Sequence, residues 1–294
     1  MGKGPQKRAV LIAGPTASGK SALALKLARE RGGLIVNTDA LQVYDGLRLL
    51  TARPSEAEMA EAPHRLYGTV PPSRRFSTGD WARAAAEVIA AEGDRELIFV
   101  GGTGLYFEAL LNGFADVPDV PEAAVLAATA EVEGLDGDER GRLIAARDPL
   151  VAARLKAPDP QRVIRALAVL IATGRSLASF QDEAQAGLLK GFALERIVLN
   201  PDRDVLRARI ARRFSTMLDH GAVEEVRGLL FSGLDPQLPA MKAIGVPEIT
   251  AWLAGELPAE EAIERAVIAT RQYAKRQRTW FRSRMADWTW IEPN

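Results

Sequence analysis

Four short segments rich in apolar residues lie far apart along the chain, and amphipathic segments separate them. Residues 21–29 and 78–91 have the apolar spacing of helices, and the second begins at a Ser-Thr pair that can cap it. Buried runs that alternate with helices are typical of a parallel sheet covered on both faces. The pattern therefore predicts an α/β fold, with a parallel sheet flanked by helices. The predicted strands are residues 9–13, 34–36, 97–100 and 196–200.

The pattern changes near residue 116, where Asp, Val and Pro alternate. The residues that follow, to about 190, are rich in Ala, Arg and Glu and contain no convincing strand. We interpret residues 115–190 as a small all-helical insertion domain. It would divide the core into residues 1–114 and residues 191–294, and helices would continue to about residue 285.

Composition excludes several classes of protein. The 294 residues carry 38 basic and 38 acidic side chains, so any nucleic-acid surface must be local. The absence of cysteine excludes disulfides, thiolate zinc sites and a cysteine nucleophile, and two histidines leave little for a zinc site of another kind. There is no signal-peptide pattern and no apolar run long enough to cross a bilayer. We expect a cytoplasmic protein that acts as a monomer.

A phosphate-binding loop follows the first predicted strand. Residues 14–21 read Gly-Pro-Thr-Ala-Ser-Gly-Lys-Ser, the Gly-x4-Gly-Lys-Ser (P-loop) pattern that also binds ATP in many proteins. Its glycines let successive backbone N–H groups point at one anion, and the next helix adds its N-terminal donors. Lys20 would contact a terminal phosphate, and the Ser21 hydroxyl would bind Mg²⁺. The motif predicts a polyphosphate ligand without saying which one.

Two more polar positions follow predicted strands, at the edge where parallel sheets bind ligands. Asp39 could accept a proton, and Gln42 offers a donor and an acceptor that could read a base. Alternatively, Asp39 caps a helix and Gln42 is solvated. Thr103 lies in a Gly-Gly-Thr-Gly turn that admits either a ligand or a close backbone. Since the strand before this turn ends without an acid, the polyphosphate is better read as a leaving group than as a phosphoryl donor.

A basic stripe is predicted near the C-terminus. Positions 271, 275, 278 and 282 fall on one face of a helix, and Tyr273 and Trp280 fall on the other. This face suits a nucleic-acid backbone, although a solvated charged face is the alternative. Arg209 and Arg213 are one helical turn apart and are candidates for closing over a diphosphate.

The order of the motifs resembles the bacterial form of the tRNA dimethylallyltransferase family, over almost the whole chain. The chain departs from the family pattern at four positions, where the family has Ser, Lys, a second His and Tyr in place of Ala40, Arg53, Arg65 and Val246. The matching segments are 14–21, Asp-x-x-Gln-Val-Tyr at 39–44, Thr-Ala-x-Pro at 51–54, Pro-His at 63–64, Val-Gly-Gly-Thr-Gly-Leu-Tyr at 100–106, Asp-Pro-Gln-Arg-x-x-Arg-Ala-Leu at 159–167, Ala-Ile-Gly at 243–245, and Tyr-Ala-Lys-Arg-Gln-x-Thr-Trp-Phe-Arg at 273–282.

The resemblance implies transfer of a dimethylallyl group from dimethylallyl diphosphate, held with Mg²⁺, to N6 of adenosine 37 in tRNA. Asp39, Thr103 and Arg213 would be catalytic. The diphosphate would bind Gly14, Thr16, Ala17, Ser18, Gly19, Lys20 and Ser21. The anticodon stem-loop would contact Asp39, Ala40, Leu41, Gln42, Thr103, Gln161, Arg162, Val163, Ile164, Arg165, Lys275, Arg276, Gln277, Arg278, Trp280 and Arg282.

Two other functions remain open at this point. An enzyme that prenylates free adenine nucleotides would use the same chemistry, but the basic stripe favours a polynucleotide acceptor. A kinase that uses ATP would explain the phosphate loop alone.

Overall fold

A computed structural model describes residues 6–115, 117–183 and 185–293. The chain forms two compact units, residues 1–110 with 189–294, and residues 111–188. The predicted insertion boundaries, 115 and 190, lie within a few residues of these limits. None of the helices in the described part of the chain is long and apolar enough to cross a membrane.

The first unit contains a six-stranded sheet in which every pairing is parallel, so the predicted α/β class is confirmed. The strand order is β3-β2-β4-β1-β5-β6. The strands are β1 (Arg8–Ala13), β2 (Leu34–Asn37), β3 (His64–Arg65), β4 (Leu97–Gly101), β5 (Ala193–Leu199) and β6 (Thr289–Ile291). Four of them match the predicted runs, and the two short edge strands β3 and β6 were not predicted.

Helices cover the sheet, and their apolar faces supply its core. The helices of this unit are α1 (Lys20–Arg31), α2 (Glu56–Glu61), α3 (Thr78–Ala91), α4 (Gly104–Asn112), α10 (Arg203–Asp219), α11 (Ala222–Phe231), α12 (Val246–Leu253) and α13 (Ala259–Arg284), with a 3₁₀ turn at Ala240–Lys242. One core cluster packs Ala24 and Leu27 of α1 on Ile12, Ile35 and Ile98 of the strands. Burial of such side chains contributes about 1.5–3 kcal/mol each, and it holds α1 and the loop before it on the sheet.

The second unit is helical in its described residues, as predicted for the insertion. Its helices are α5 (Glu122–Val132), α6 (Gly137–Arg147), α7 (Pro149–Ala152), α8 (Pro160–Thr173) and α9 (Leu177–Asp182). Ala128 and Val132 of α5 pack on Val163, Ala166 and Leu167 of α8, all buried. The unit therefore has a small core of its own.

Candidate active site

The phosphate loop lies between β1 and α1, at the carboxyl end of the sheet. Ala17 and Gly19 have φ values of 63° and 90°, so the backbone curls through the left-handed region there. A side chain at Gly14 would come within 2.7 Å of Ser18 Oγ and 2.9 Å of the Leu199 carbonyl oxygen. The loop is thus packed closely against the end of β5, as its glycine pattern requires.

Lys20 is buried in the first turn of α1, and its Nζ lies 3.4 Å from the Pro15 carbonyl oxygen. Burial lowers the pKa of Lys20 to about 8; the charge of Asp39 opposes this fall, and that of Arg213 adds to it. The site therefore holds a poorly solvated cation, and an anionic ligand would stabilise its charge.

A cavity of about 470 Å³ lies around this loop, and cationic side chains from other parts of the chain line it. The sequence pointed to Arg209 and Arg213 of α10, but it did not reveal Arg212 or Arg53. Burial lowers the pKa of the Arg213 guanidinium, which donates a hydrogen bond to Thr16 Oγ1. The cavity is lined by residues 16–22, Asp39, Gln42, Thr51, Ala52, Arg53, Glu58, Arg209, Arg212, Arg213 and Thr216. We call it the phosphate cradle.

Asp39 occupies a turn at the carboxyl end of β2. Its backbone N–H donates to Asn37 Oδ1 at 2.8 Å, and the Asn37 side-chain amide donates to the Asp39 and Leu66 carbonyl oxygens. The Leu41 N–H donates to Asp39 Oδ1 at 3.1 Å. Because the next residues form a turn and not a helix, the alternative of a helix cap is wrong. Asp39 lines both the phosphate cradle and a second cavity.

That second cavity is small, about 60 Å³, and seven of its thirteen lining residues are apolar. It shares Thr16, Asp39, Thr51 and Arg213 with the phosphate cradle, so the two cavities adjoin and Asp39 is one of the four residues that line both. Leu41, Leu50, Ile210, Phe214, Met217, Ala243, Ile244, Thr270 and Tyr273 line the rest of it. We call it the apolar pocket.

Thr103 is fixed beside Asp39 by two hydrogen bonds. Its Oγ1 accepts from the Ala40 N–H at 2.9 Å, and its own N–H donates to the Thr38 carbonyl oxygen at 3.1 Å. The neighbouring glycines serve close packing of the protein on itself. A methyl group at Gly102 would clash with the Gln277 side chain, and one at Gly104 would clash with the Trp280 ring.

The predicted basic stripe lies along α13. Arg271, Lys275, Arg278 and Arg282 line a groove of about 440 Å³, and Arg203 and Arg207 of α10 line the same groove. We call it the basic groove. Tyr273 instead lines the apolar pocket, as a residue on the opposite face should. The second wall of the groove was not found from the sequence.

Some predicted RNA contacts are placed elsewhere by the structure. Gln277 is only 5% exposed, and both ends of its side-chain amide are bonded inside the protein. Gln42 is buried, so it is not solvated, and its Nε2 donates to the Thr51 and Ala52 carbonyl oxygens. Arg276 is exposed, with its guanidinium 5.8 Å from the Tyr273 ring centroid. The prediction of a surface contact is therefore wrong for the Gln277 side chain.

In the second unit, α8 separates its predicted RNA contacts into two groups. Gln161, Arg162 and Arg165 are exposed. Val163 is fully buried, and Ile164 packs on the core of that unit. The predicted contact of Val163 with RNA is wrong for its side chain, because i to i+2 positions of a helix face different directions.

Known proteins resemble this chain along most of its length. A family model described as "IPP transferase" matches residues 42–284. A tRNA dimethylallyltransferase of Chelativorans sp. is 54% identical over 285 residues, which cover 96% of this chain and 98% of that protein. One of Methylobacterium sp. is 53% identical over 290 residues, 97% of this chain and 94% of that protein.

Solved structures extend the likeness to the fold. The tRNA isopentenylpyrophosphate transferase of Bacillus halodurans has a TM-score of 0.68 and 33% identity, with 98% of this chain and 90% of that chain covered. A eukaryotic dimethylallyltransferase acting on tRNA has a TM-score of 0.80 and 27% identity, with 97% and 74% covered. Because the family model matches residues 42–284 and these relatives are alike over most of their length, the chain belongs to the IPP transferase family.

Proposed function

We propose that the protein transfers the dimethylallyl group of dimethylallyl diphosphate to N6 of adenosine 37 in tRNA. One observation carries this proposal: the phosphate cradle and the apolar pocket meet at Asp39. A diphosphate ester of a short branched hydrocarbon has an anionic part that suits the cationic cradle and an apolar part that suits the pocket. Membership of the IPP transferase family, and relatives that are tRNA dimethylallyltransferases, support the same reaction.

The reaction is an alkyl transfer. The N6 lone pair of adenosine attacks C1 of the allyl group, the C1–O bond breaks, and the diphosphate takes the bonding electrons. Asp39 accepts the proton that N6 loses. Lys20 and Arg213 stabilise the charge that develops on the leaving diphosphate, with Arg209 and Arg212 in the same cradle. Thr103 holds the Ala40 N–H and so keeps the backbone next to Asp39 in place.

The donor groups of the cradle fit Mg²⁺. Mg²⁺ keeps several waters and binds one or two protein oxygens beside substrate phosphates. The exposed Ser21 hydroxyl and the Glu58 carboxylate line the cradle and offer such oxygens. Within the described residues no group of three or more His, Cys, Asp or Glu could hold a metal alone, in keeping with a metal bound mainly through the diphosphate. When bound, Mg²⁺ would neutralise part of the diphosphate charge.

The acceptor is proposed to be RNA because of the basic groove. Six Lys or Arg side chains line it, in a protein whose net charge is zero. A free nucleotide needs no such surface, and phosphate contacts by Lys and Arg dominate affinity for nucleic acids. Gln161, Arg162 and Arg165 are proposed further contacts. The protein is proposed to act as a monomer.

The test offers labelled dimethylallyl diphosphate and Mg²⁺ to the purified protein, with an anticodon stem-loop or AMP as acceptor. We expect label in a stem-loop with A37 and none in the same stem-loop with G37. Label in AMP alone would assign the chain to free-nucleotide prenylation. Label in neither acceptor, together with tight binding of ATP, would contradict the proposal.

A further inference from the structure

Gln277 is a buried amide on the inner face of α13. Ala274 and Phe281, three residues before it and four after it, are 2% and 1% exposed, so this side of the helix packs on the protein. Arg278 and Lys275 are about 100° and 160° away from Gln277 around the helix and line the basic groove, and Ala274 lies at the edge of that groove. The same helix thus presents cations to the groove and one amide to the interior.

The two ends of this amide connect two loops of the active site. Gln277 Oε1 accepts from the Thr16 N–H at 2.9 Å, and its Nε2 donates to the Gly102 carbonyl oxygen at 3.0 Å. A side chain must therefore accept at one end and donate at the other, which an amide does and a carboxylate or an apolar chain does not. Leaving either buried backbone group unpaired is unfavourable.

Both loops carry groups of the proposed reaction. Thr16 belongs to the phosphate loop, and its hydroxyl accepts from Arg213. Gly102 precedes Thr103, whose hydroxyl holds the Ala40 N–H beside Asp39. A side chain at Gly102 would also lie 3.4 Å from Asp39 Oδ2. Hence the distance from the phosphate loop to the Asp39–Thr103 region depends on Gln277.

We propose that Gln277 is a positioning residue, which fixes the leaving-group site relative to the base that takes the proton from N6. This inference rests on the proposed function for what the two loops do. Gln277 does not touch the substrate; it acts through Thr16 and Gly102.

The first test replaces Gln277 by Met, which has a similar size and makes neither hydrogen bond. We expect kcat to fall on the order of 100-fold, the loss that a misplacement of about 1 Å can cause. Affinity for the stem-loop should stay within about twofold, because Gln277 is not on the groove face. The matched control is Gln237→Met: Gln237 is exposed and bonded to Lys242 at the surface, and kcat should stay within about twofold.

The second test replaces Gln277 by Glu and follows pH. A neutral carboxylic acid can accept from Thr16 and donate to Gly102, whereas a carboxylate can only accept. Asp39 lies near Gly102, and Lys20 and Arg213 interact with it. Burial raises the pKa of Tyr106 and Tyr273, which also interact with Asp39, so both stay neutral. All five groups remain in both proteins. Burial beside a carbonyl raises the pKa of the introduced carboxyl, so the neutral acid forms as the pH falls. We therefore expect Tm and kcat, relative to the unaltered protein, to rise as the pH falls from about 8 to about 6. Gln237→Glu should show no such rise.

Three results would overturn the inference. Gln277→Met could keep kcat within about threefold, against the expected loss. It could lose stem-loop affinity and flatten the salt dependence of binding, which would place Gln277 on the RNA surface. The Tm of Gln277→Glu, relative to the unaltered protein, could be independent of pH. That result would show that stability does not depend on the hydrogen bonds to both Thr16 and Gly102. The Tm measurement needs no substrate, so it tests Gln277 even if Gln277→Met does not fold or the transfer reaction is absent.

Discussion

The phosphate cradle and the basic groove are built in different ways. The cradle starts from eight consecutive residues whose backbone curls at Ala17 and Gly19. The groove has no such local motif, and long side chains from α10 and α13 form its walls. The cradle therefore depends on backbone geometry. The groove depends on the spacing of side chains on two helices that are far apart in the sequence.

Helix α10 contributes to both regions, and the comparison can be made within it. Arg209, Arg212 and Arg213 face the cradle, whereas Arg203 and Arg207 face the groove. The residue type is the same throughout, so position on the helix decides the ligand. If the regions are functionally separate, substitutions in one should alter chemistry or donor binding, and substitutions in the other should alter RNA affinity.

The largest effect is expected at Asp39. Asp39→Ala should lower kcat roughly 100-fold to 10,000-fold, the usual contribution of a general base. Stem-loop affinity should change little, since Asp39 is not in the groove. Steady-state kinetics with labelled donor, together with filter binding of the stem-loop, measure the two quantities.

Asp39→Asn is the matched control for this prediction. An Asn side-chain oxygen can still accept from the Leu41 N–H, so the turn should survive while the base is lost. A variant of either kind with unchanged kcat would show that another group takes the proton.

Lys20 should give the next largest effect. Lys20→Met should weaken binding of dimethylallyl diphosphate by about 10-fold to 100-fold, because a charge-assisted hydrogen bond is lost. Titration calorimetry in the presence of Mg²⁺ measures it. Equal binding by the two proteins would place the diphosphate elsewhere.

The same residue predicts a pH dependence. Burial lowers the pKa of Lys20 to about 8 in the free protein, and a bound diphosphate would raise it again. Binding then takes up a proton above that pH, so affinity should fall as the pH rises through about 8, by at most about tenfold per unit. The diphosphate also titrates, and this affects binding to both proteins equally. The ratio of the affinities of the unaltered protein and Lys20→Met therefore reports the titration of Lys20 alone. An identical pH profile in the two proteins would contradict the assignment.

In the basic groove, a joint change of Lys275 and Arg278 to Ala should have a smaller effect, on binding only. We expect stem-loop affinity to fall roughly tenfold, and the slope of log affinity against log salt to flatten by about 2. Values of kcat at saturating RNA should be retained. A loss of kcat without a change in the salt slope would join the two regions that the comparison separates.

The smallest effect is expected on α8. Arg162→Ala should weaken stem-loop binding about threefold and flatten the salt slope by about 1. Val163→Ala, at the next residue, should leave RNA binding unchanged and lower the free energy of unfolding by about 1–3 kcal/mol, because Val163 is buried. Chemical denaturation and filter binding of both variants distinguish a surface contact from a core position.

The same difference explains what the sequence could predict. The phosphate loop and the four central strands have local signatures, so their positions were predicted closely. The edge strands His64–Arg65 and Thr289–Ile291 are only two and three residues long, too short to give a strand pattern, and they form through pairing with β2 and β5. Arg53 reaches the cradle through tertiary folding, and no local pattern indicates its role. Arg212 lies three residues after Arg209 on α10, so helical spacing could have added it to the predicted pair.

Gln277 shows where the resemblance was applied too broadly. It lies between Arg276 and Arg278 in a basic segment, so the whole segment was assigned to RNA. A helix turns by about 100° per residue, and position 277 falls on the face of Ala274 and Phe281, not on the face of the cations. Helical spacing applied residue by residue would have separated it, although its two bonds to Thr16 and Gly102 required the structure.

The most direct test of the central claim compares three ligands by titration calorimetry in Mg²⁺: dimethylallyl diphosphate, inorganic diphosphate and ATP. Each buried CH₂ contributes about 0.8 kcal/mol, so we expect the allylic ester to bind at least about tenfold more tightly than inorganic diphosphate. It should also bind more tightly than ATP, which lacks the branched hydrocarbon next to its phosphates. Tighter binding of ATP, or no gain from the hydrocarbon, would contradict the claim that the cradle and the apolar pocket hold one allylic diphosphate.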